Sequence, residues 1–312
     1  MKILVIGGSG QIGSELRSLS RDLALTTPHT LDFPTRTDLD MTDSQAIARF
    51  FATKKYDFCI NAAAYTAVDK AETERDLAVA INVTAVQHIA ENCAIHNVQL
   101  VHLSSDYVYH RLQNDGLLTE RTPAAPQGVY ATTKLAGEAA ALAALPNTVV
   151  LRTSWVYSAH GSNFVKTMLR LGRERAAQGM QKGTQTGAGQ GAELRVVTDQ
   201  IGAPTYARDL AESILQIITQ IADNQTTTAI QNYGGIYNYS NEGITSWYDF
   251  AYFILHQKQV NCSVVPIATA EYPTPAARPF FSAMDKTKLK NTFHIQPRHW
   301  HAALCDCLEN LP

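Results

Sequence analysis

"KILVIGGSGQIGSELRSL" (residues 2–19) decides how the first half of this chain is read. A short, almost continuously apolar run ends in glycine, and a helical pattern follows at once. Between them stand Gly7, Gly10 and Gly13, three residues apart. The first glycine permits a tight turn, the second lets backbone approach a pyrophosphate, and the third lets the helix pack close to the strand. The N–H groups opening that helix then face the anion. Gly7, Gly10, Gln11, Ile12 and Gly13 are therefore candidate dinucleotide-binding residues. A lone triplet is a weak signal, and its place between a strand and a helix gives it weight.

Outward from this turn the same alternation repeats. "DSQAIARFFATKK" (43–55) reads as a helix capped by Asp43, "DFCINAAA" (57–64) as a strand entering a loop, and 74–97 as one long helix. "VQLVHLSS" (98–105), 128–145 and "NTVVLRTSWVY" (147–157) continue as strand, helix and strand. A weaker strand is expected within 24–32. Apolar strands separated by helices imply a parallel sheet covered on both faces, with right-handed crossovers. The predicted fold is α/β: a Rossmann-like doubly wound parallel sheet with a smaller C-terminal α/β lobe for substrate. Residues 1–157 form the dinucleotide domain, with 194–222 returning to it; 158–193 and 223–312 form the lobe. The Gly-, Gln- and Thr-rich stretch 178–193 reads as a mobile surface loop. Pro273, Pro275 and Pro279 keep "YPTPAARP" (272–279) extended.

The totals fit an ordinary globular protein: 312 residues, 45% hydrophobic, 17% charged, formal charge −2. That charge gives no reason to expect nucleic acid or an anionic membrane as partner. No apolar stretch approaches the length of a spanning helix. "MKILVIGGSG" runs straight into glycines without a cleavage site, so it reads as a first strand and not a signal peptide, and cytoplasmic residence is expected. Cys59, Cys93, Cys262, Cys305 and Cys307 lack metal-site spacing and read as thiols in a reducing compartment.

In a doubly wound sheet, ligands bind beyond the carboxyl ends of the strands. Asp32, about twenty residues after the triplet, is placed to bind a ribose 2′-hydroxyl, whereas the nearby Arg36 suits a 2′-phosphate, so NADH and NADPH both stay open. Asp40 and Met41 are candidates to flank the adenine. Ala62, Ala63, Ala64 and Tyr65 follow the next strand, where small side chains leave room for a cofactor. Ser105 and Asp106 end another strand and Trp155 a third. On the helix between them, Tyr130 and Lys134 stand four apart and share a face. A hydroxyl, a phenol and an ammonium thus converge on one cleft. A nearby ammonium stabilises the phenolate left when a tyrosine gives up its proton, and a carbonyl receiving hydride needs that proton.

The glycine triplet, the "NAAA" loop, Ser105 and the Tyr130-x-x-x-Lys134 pair resemble the extended short-chain dehydrogenase/reductases. More narrowly, "NAAAYTAVDKAE" (61–72), "SSDYVY" (104–109), "VYATTKLAGE" (129–138), "RTSWVY" (152–157), "NFVKTMLRL" (163–171), "TDQIGAPT" (198–205) and "YPTPAARP" resemble the dTDP-4-dehydrorhamnose reductases, in order over nearly the whole chain. The resemblance implies NADPH or NADH as cofactor, a dTDP-4-keto sugar as substrate, and a monomer or homodimer. It implies Tyr130, Lys134 and Ser105 as catalytic residues, and Ser105, Asp106 and Trp155 as substrate contacts. Asp69 and Lys70 read as holding substrate, as shaping the loop over the cofactor, or as a surface ion pair, and Arg278 is a candidate for the substrate diphosphate, whose oxygens a guanidinium fork matches. Asn82 matches a helical asparagine that supports the lysine in the superfamily, though it reads equally as a helix-packing residue. Some members hold Mg2+ between subunits through glutamates; here Glu15 remains, and the matching positions read as Arg208 and His301, so no metal site is assigned. Segment 178–193 and "HRLQND" (110–115) are longer than the family usually has. A nucleotide-sugar epimerase or dehydratase, and a regulatory subunit resembling the methionine adenosyltransferase β-subunit, are the competing readings.

Overall fold

The computed structural model describes residues 1–23, 29–110, 116–181, 193–225 and 233–311. The chain opens with β1 (Lys2–Ile6), α1 (Gln11–Leu23), β2 (Thr30–Asp32), α2 (Ser44–Thr53), β3 (Phe58–Asn61), α3 (Val68–Ala71), α4 (Arg75–Val79), α5 (Ala85–Ile95) and β4 (Gln99–Ser105). It continues through α6 (Gly128–Ala144), β5 (Val149–Thr153), β6 (Val156–Tyr157), α7 (Phe164–Gln181), β7 (Glu193–Val197), β8 (Ile201–Gly202), β9 (Thr205–Tyr206) and α8 (Ala207–Gln225). The last elements are β10 (Gly235–Tyr239), β11 (Thr245–Ser246), α9 (Trp247–Gln257), β12 (Ser263–Ile267), α10 (Thr287–Phe293) and α11 (Trp300–Glu309).

Six parallel strands form the main sheet in the order β2-β1-β3-β4-β5-β10. The order reverses at the β1–β3 pair, and there a crevice opens beyond the strand ends. Its central strands are buried on both sides because each face carries helices. Leu16, Leu210, Ile214 and Ile218 of α1 and α8 pack on one face against Val5, Ile60 and Val101. Ile47, Phe51, Ile89 and Ala141 of α2, α5 and α6 cover the other, against Leu4, Cys59 and Leu100. This is the doubly wound α/β fold that the alternation predicts. A second core, with Val165, Phe250, Ile254, Trp300 and Leu304, holds α7, α9 and α11 together in the smaller lobe. Among the described residues, no helix is long and apolar enough to cross a membrane.

The division of the chain differs from the expectation at two places. Strand β7, expected to return to the main sheet, pairs with β12 in the lobe. Strand β10, expected in the lobe, extends the main sheet beside β5, and Leu289 and Phe293 of α10 join the core behind it. Only α8 of segment 194–222 packs back, against α1. Composition cannot separate these strands, because a short apolar run satisfies either edge. Most of segment 178–193, from 182 to 192, and residues 111–115 of "HRLQND" lie outside the described residues.

Two expected elements are broken, one at Trp155 and one around Asn82. The strand read over 147–157 stops at Thr153 and resumes at Val156, because Trp155 adopts a left-handed backbone with φ of 47°. The long helix read over 74–97 is interrupted by a π-helical turn, Ala80–Thr84. Inside it, Asn82 turns both ends of its amide onto the Tyr65 backbone: Tyr65 N donates to Oδ1 at 2.8 Å, and Nδ2 donates to the Tyr65 carbonyl at 3.2 Å. Nδ2 also donates to Thr133 Oγ1 of α6 at 3.2 Å, so the turn aims one amide at both the Tyr65 backbone and the neighbouring helix.

Candidate active site

The glycine turn is built for a close approach. Gly7 has φ of 89°, and a Cβ there would lie 2.6 Å from Ala63 N. A Cβ on Gly13 would lie 2.3 Å from the Gly7 carbonyl oxygen. A larger residue at either place would collide with backbone and push the turn off the strand end, and the tight turn so kept lines the cleft with Gly7 and Gly10, as a dinucleotide's pyrophosphate requires. Two clefts meet at this turn. The larger, about 650 Å³, is lined by Gly7, Gly10, Gln11, Ile12, Ala62, Ala63, Ala64, Ser105, Asp106, Tyr130, Lys134 and Trp155. The smaller, about 320 Å³, continues past Gly8 and Ser9 to Asp40 and Met41. Together they offer one trough for an extended dinucleotide with a substrate at its far end.

Tyr130 and Lys134 reach the cleft because α6 is tied to the sheet below them. Glu138, one turn further along, is 1% exposed and takes a forked ion pair from Arg152 of β5, with Nη2–Oε2 at 2.6 Å and Nε–Oε1 at 2.9 Å. Ser104 of β4 also donates to Glu138, and Arg152 Nη1 donates to the Tyr109 hydroxyl at 2.6 Å. A buried, fully bonded pair of this kind resists rotation of the helix.

Lys134 is buried at 2% exposure and donates to the Leu103 carbonyl at 2.7 Å. Burial lowers its pKa to about 8, although the Glu138 charge opposes that. Burial raises the Tyr130 phenol to about 12, with Ser105 drawing it down by hydrogen bonding and the Asp106 charge pushing it up. Lys134 spends one of its three donors on Leu103, and the phenol keeps its proton at neutral pH. That suits a donor which releases its proton only as an alkoxide forms.

Ser105 donates to Asp106 Oδ1 at 3.0 Å, and Asp106 is 2% exposed with Oδ2 unpartnered among the described residues. Burial raises the Asp106 pKa to about 6 against hydrogen bonds from Ser282 and Ser105. Trp155 forms a cleft wall and stacks on Trp247, with ring centroids 3.5 Å apart.

Other expected residues lie elsewhere. Asp32 lies outside the lining of both clefts: its Oδ2 accepts from Tyr56 Oη at 2.6 Å and Lys54 Nζ at 2.9 Å. Its register explains this, since Asp32 pairs with Leu4, two residues short of the end of β1. Tyr65 points its hydroxyl to Glu74 at 2.6 Å, and its backbone is what Asn82 holds. Asp69 and Arg278 pair with each other outside the cleft lining, and Lys70 is exposed. Glu15 is buried and accepts from Ser158 Oγ at 2.6 Å, Arg208 pairs with Glu212, and His301 stacks on Phe253. Among the described residues, no group of three or more His, Cys, Asp or Glu could hold a metal ion.

Sequence reasoning missed Arg17 and Phe33 in the smaller cleft, and Tyr107, Gly161, Ser162 and Asn163 in the larger. Asn163 was legible as a helix cap: its Oδ1 accepts from Lys166 N at 3.1 Å. Its Nδ2 also donates to Gln11 Oε1 at 2.9 Å, clasping the lobe to the glycine helix, a contact between residues 152 positions apart.

The comparisons with known proteins agree with this geometry. The family model for the RmlD substrate binding domain matches residues 1–312. The dTDP-4-dehydrorhamnose reductase of Aggregatibacter actinomycetemcomitans is 38% identical over 97% of both chains. That of Escherichia coli K12 is 34% identical, covering 100% of this chain and 98% of the other. Among solved structures, a Clostridium acetobutylicum dTDP-4-dehydrorhamnose reductase superposes with a TM-score of 0.86 at 33% identity, covering 99% of both chains. One from Bacillus anthracis, solved in complex with NADP, gives 0.84 at 31% identity, covering 99% of this chain and 98% of that one. On the strength of a match along its entire length, this chain belongs to the RmlD family of dTDP-4-dehydrorhamnose reductases.

Proposed function

We propose that this protein reduces the C4 ketone of dTDP-4-dehydro-L-rhamnose to give dTDP-L-rhamnose, as an NAD(P)H-dependent oxidoreductase. The observation that carries this reading is that Ser105, Tyr130 and Lys134 line the same cleft as the Gly7–Gly13 turn. When bound, the reduced nicotinamide supplies the hydride. Ser105 offers a hydroxyl to hold the ketone oxygen. Tyr130, with a pKa of about 12, keeps its proton at neutral pH and gives it up as negative charge grows on that oxygen. Lys134 holds positive charge beneath the cleft floor. Asp106 and Trp155 form the wall for the sugar, a buried carboxyl to accept hydroxyls and an aromatic plane for apolar carbon. Stacking on Trp247 fixes that plane. The reading carries cytoplasmic residence with it, since its sugar nucleotide and reduced cofactor belong to that compartment.

The test is oxidation of NADPH or NADH against a panel of dTDP- and UDP-4-keto sugars. Stoichiometric loss of reduced nicotinamide with dTDP-4-dehydrorhamnose supports the reading. Conversion of a sugar nucleotide without net cofactor consumption would move the protein to the epimerases or dehydratases. Cofactor binding with no turnover of any sugar would move it to a regulatory role.

A further inference from the structure

Ser282 is buried behind the wall of the larger cleft, lines neither cleft, and has no part in the reaction as described so far. It follows the proline-rich strap, and its backbone is held from both sides. Ile201 N of β8 donates to the Phe280 carbonyl and Ser282 N to the Ile201 carbonyl, both at 2.8 Å. On the other side Leu118 N donates to the Ala283 carbonyl and Asp285 N to the Leu118 carbonyl, both at 2.9 Å. Phe281, Ala283 and Met284 share one apolar core with Val108 and Tyr109, so this segment packs on the turn Asp106–Val108. The Ser282 hydroxyl is thereby delivered to two parts of the substrate end. It hydrogen-bonds Asp106. It also lies 2.8 Å from where a Cβ on Gly202 would be, a point equally 2.8 Å from Trp155 Cε2. Glycine at 202 leaves the room that both side chains need.

Asp106 therefore has two hydroxyl partners. Burial pushes its carboxyl up to about 6, and hydrogen bonds pull against that, the one from Ser282 more than the one from Ser105. Ser105 has a single proton, which it gives to Asp106 Oδ1 at 3.0 Å. The proposed reaction asks Ser105 to turn that proton to the ketone oxygen. A buried carboxylate stripped of its last hydroxyl donor would resist the turn, because leaving a buried charge unbonded is costly. A second donor removes that conflict.

We infer that Ser282 is a positioning residue of the sugar site: its hydroxyl steadies the Asp106 carboxylate, which frees the Ser105 proton for the ketone and keeps Asp106 able to accept a sugar hydroxyl. This deepens the proposed reduction and rests on it for the roles of Ser105 and Asp106; the hold of Ser282 on Asp106 does not need the substrate. The titratable groups around Asp106 are Tyr107 beside it and Tyr130 of α6, with Arg278 and Asp69 acting beyond Tyr107. Burial raises both phenols, the Arg278 bond lowers Asp69, and Arg278 stays charged, so between pH 5 and 8 only Asp106 of this group titrates.

The experiment compares the full-length wild type, Ser282→Ala, Asp106→Asn and the double variant by two readouts, the first without substrate. In urea unfolding from pH 5 to 8, Ser282→Ala should be less stable than wild type by a margin that widens above pH 6. The folded carboxyl keeps its proton to higher pH once the serine is gone, and the unfolded chain is the same in both. The widening should reach about tenfold in the unfolding constant, the worth of one pKa unit. In the Asp106→Asn background the same substitution should cost an equal amount at every pH. A margin that is flat with pH in both backgrounds would make Ser282 a packing residue and overturn the inference. In the second readout, Ser282→Ala should lower kcat/KM for the keto sugar about tenfold at pH 7 and move its acid limb to higher pH, with KM for NADPH kept. Added to Asp106→Asn it should cause no further loss; losses that multiply would also overturn the inference. A chain that shows the pH-dependent margin yet reduces no keto sugar would refute the proposed function and leave the hold of Ser282 on Asp106 standing.

Discussion

Arg278 and Asp69 stand 209 positions apart in the chain and meet fork to fork, Nη1 on Oδ1 at 2.9 Å and Nη2 on Oδ2 at 2.6 Å. Ala276 N adds a bond to the same Asp69 Oδ1 at 3.2 Å. The pair fastens the proline-rich strap 272–279 onto α3. Thr66, Val68 and Tyr107 of that neighbourhood line the larger cleft. Because Asp69 is well exposed, the pair contributes less than about 1 kcal/mol to global stability. Arg278→Ala should therefore leave Tm nearly unchanged and raise KM for the sugar nucleotide several-fold, with KM for NADPH unaffected. Steady-state kinetics and a thermal melt check both halves.

Tyr130→Phe keeps the ring packed edge-on against Tyr107, whose centroid lies 5.3 Å away, and deletes only the hydroxyl. The expected loss in kcat is about 10²- to 10⁴-fold, the range for one positioned proton donor. NADPH affinity, measured by quenching of protein fluorescence, should persist. Turnover near wild type would remove Tyr130 from the reaction.

Lys134 carries a pH-dependent stability. Its pKa is about 8 in the folded chain against an ordinary 10.5. Between those values the unfolded chain holds a proton that the folded chain has released, so raising the pH favours the folded state. Below pH 8 both hold it, and the buried charge is a full cost. The stability difference between wild type and Lys134→Met should thus shift toward wild type from pH 8 to 10.5, by on the order of 3 kcal/mol. Urea denaturation at a series of pH values reads it. A flat difference would show that the ammonium is not desolvated.

Gly137 sits where α6 crosses the π-helical turn, and a Cβ there would lie 2.1 Å from the Asn82 carbonyl oxygen. Backbone cannot yield as a flexible side chain can. Gly137→Ala should cost about 1–3 kcal/mol and lower Tm by several degrees. It should also weaken cofactor binding, because Asn82 holds the Tyr65 backbone beside the alanine loop.

Arg152→Met strands the Glu138 carboxylate without its counterion in the protein interior. A loss of about 3–5 kcal/mol is expected. Adding Glu138→Leu to the same chain should recover part of it, since two apolar residues carry no unpaired charge. A double-mutant cycle in denaturant checks the sign of the coupling.

Much of this was legible along the chain. Glycines at positions 7, 10 and 13 have one physical use between a strand and a helix, and four-residue spacing puts Tyr130 and Lys134 on one helix face wherever that helix lies. Alternating apolar strands and helices demand a sheet covered on both sides, whatever the neighbours are. These are local constraints of backbone geometry and patterning, so sequence alone determined them. Tertiary structure decided the rest, because it depends on pairing between distant segments. Register placed Asp32 two residues below the sheet edge and handed it to Lys54 and Tyr56, leaving Arg17 and Arg36 at the rim. Strand β10 took the edge beside β5 while β7 went to β12. Arg278 spent its fork on Asp69, and Lys134 one of its donors on Leu103. A charged side chain binds whichever partner the fold brings within about 3 Å, and one-dimensional spacing carries no information about that distance.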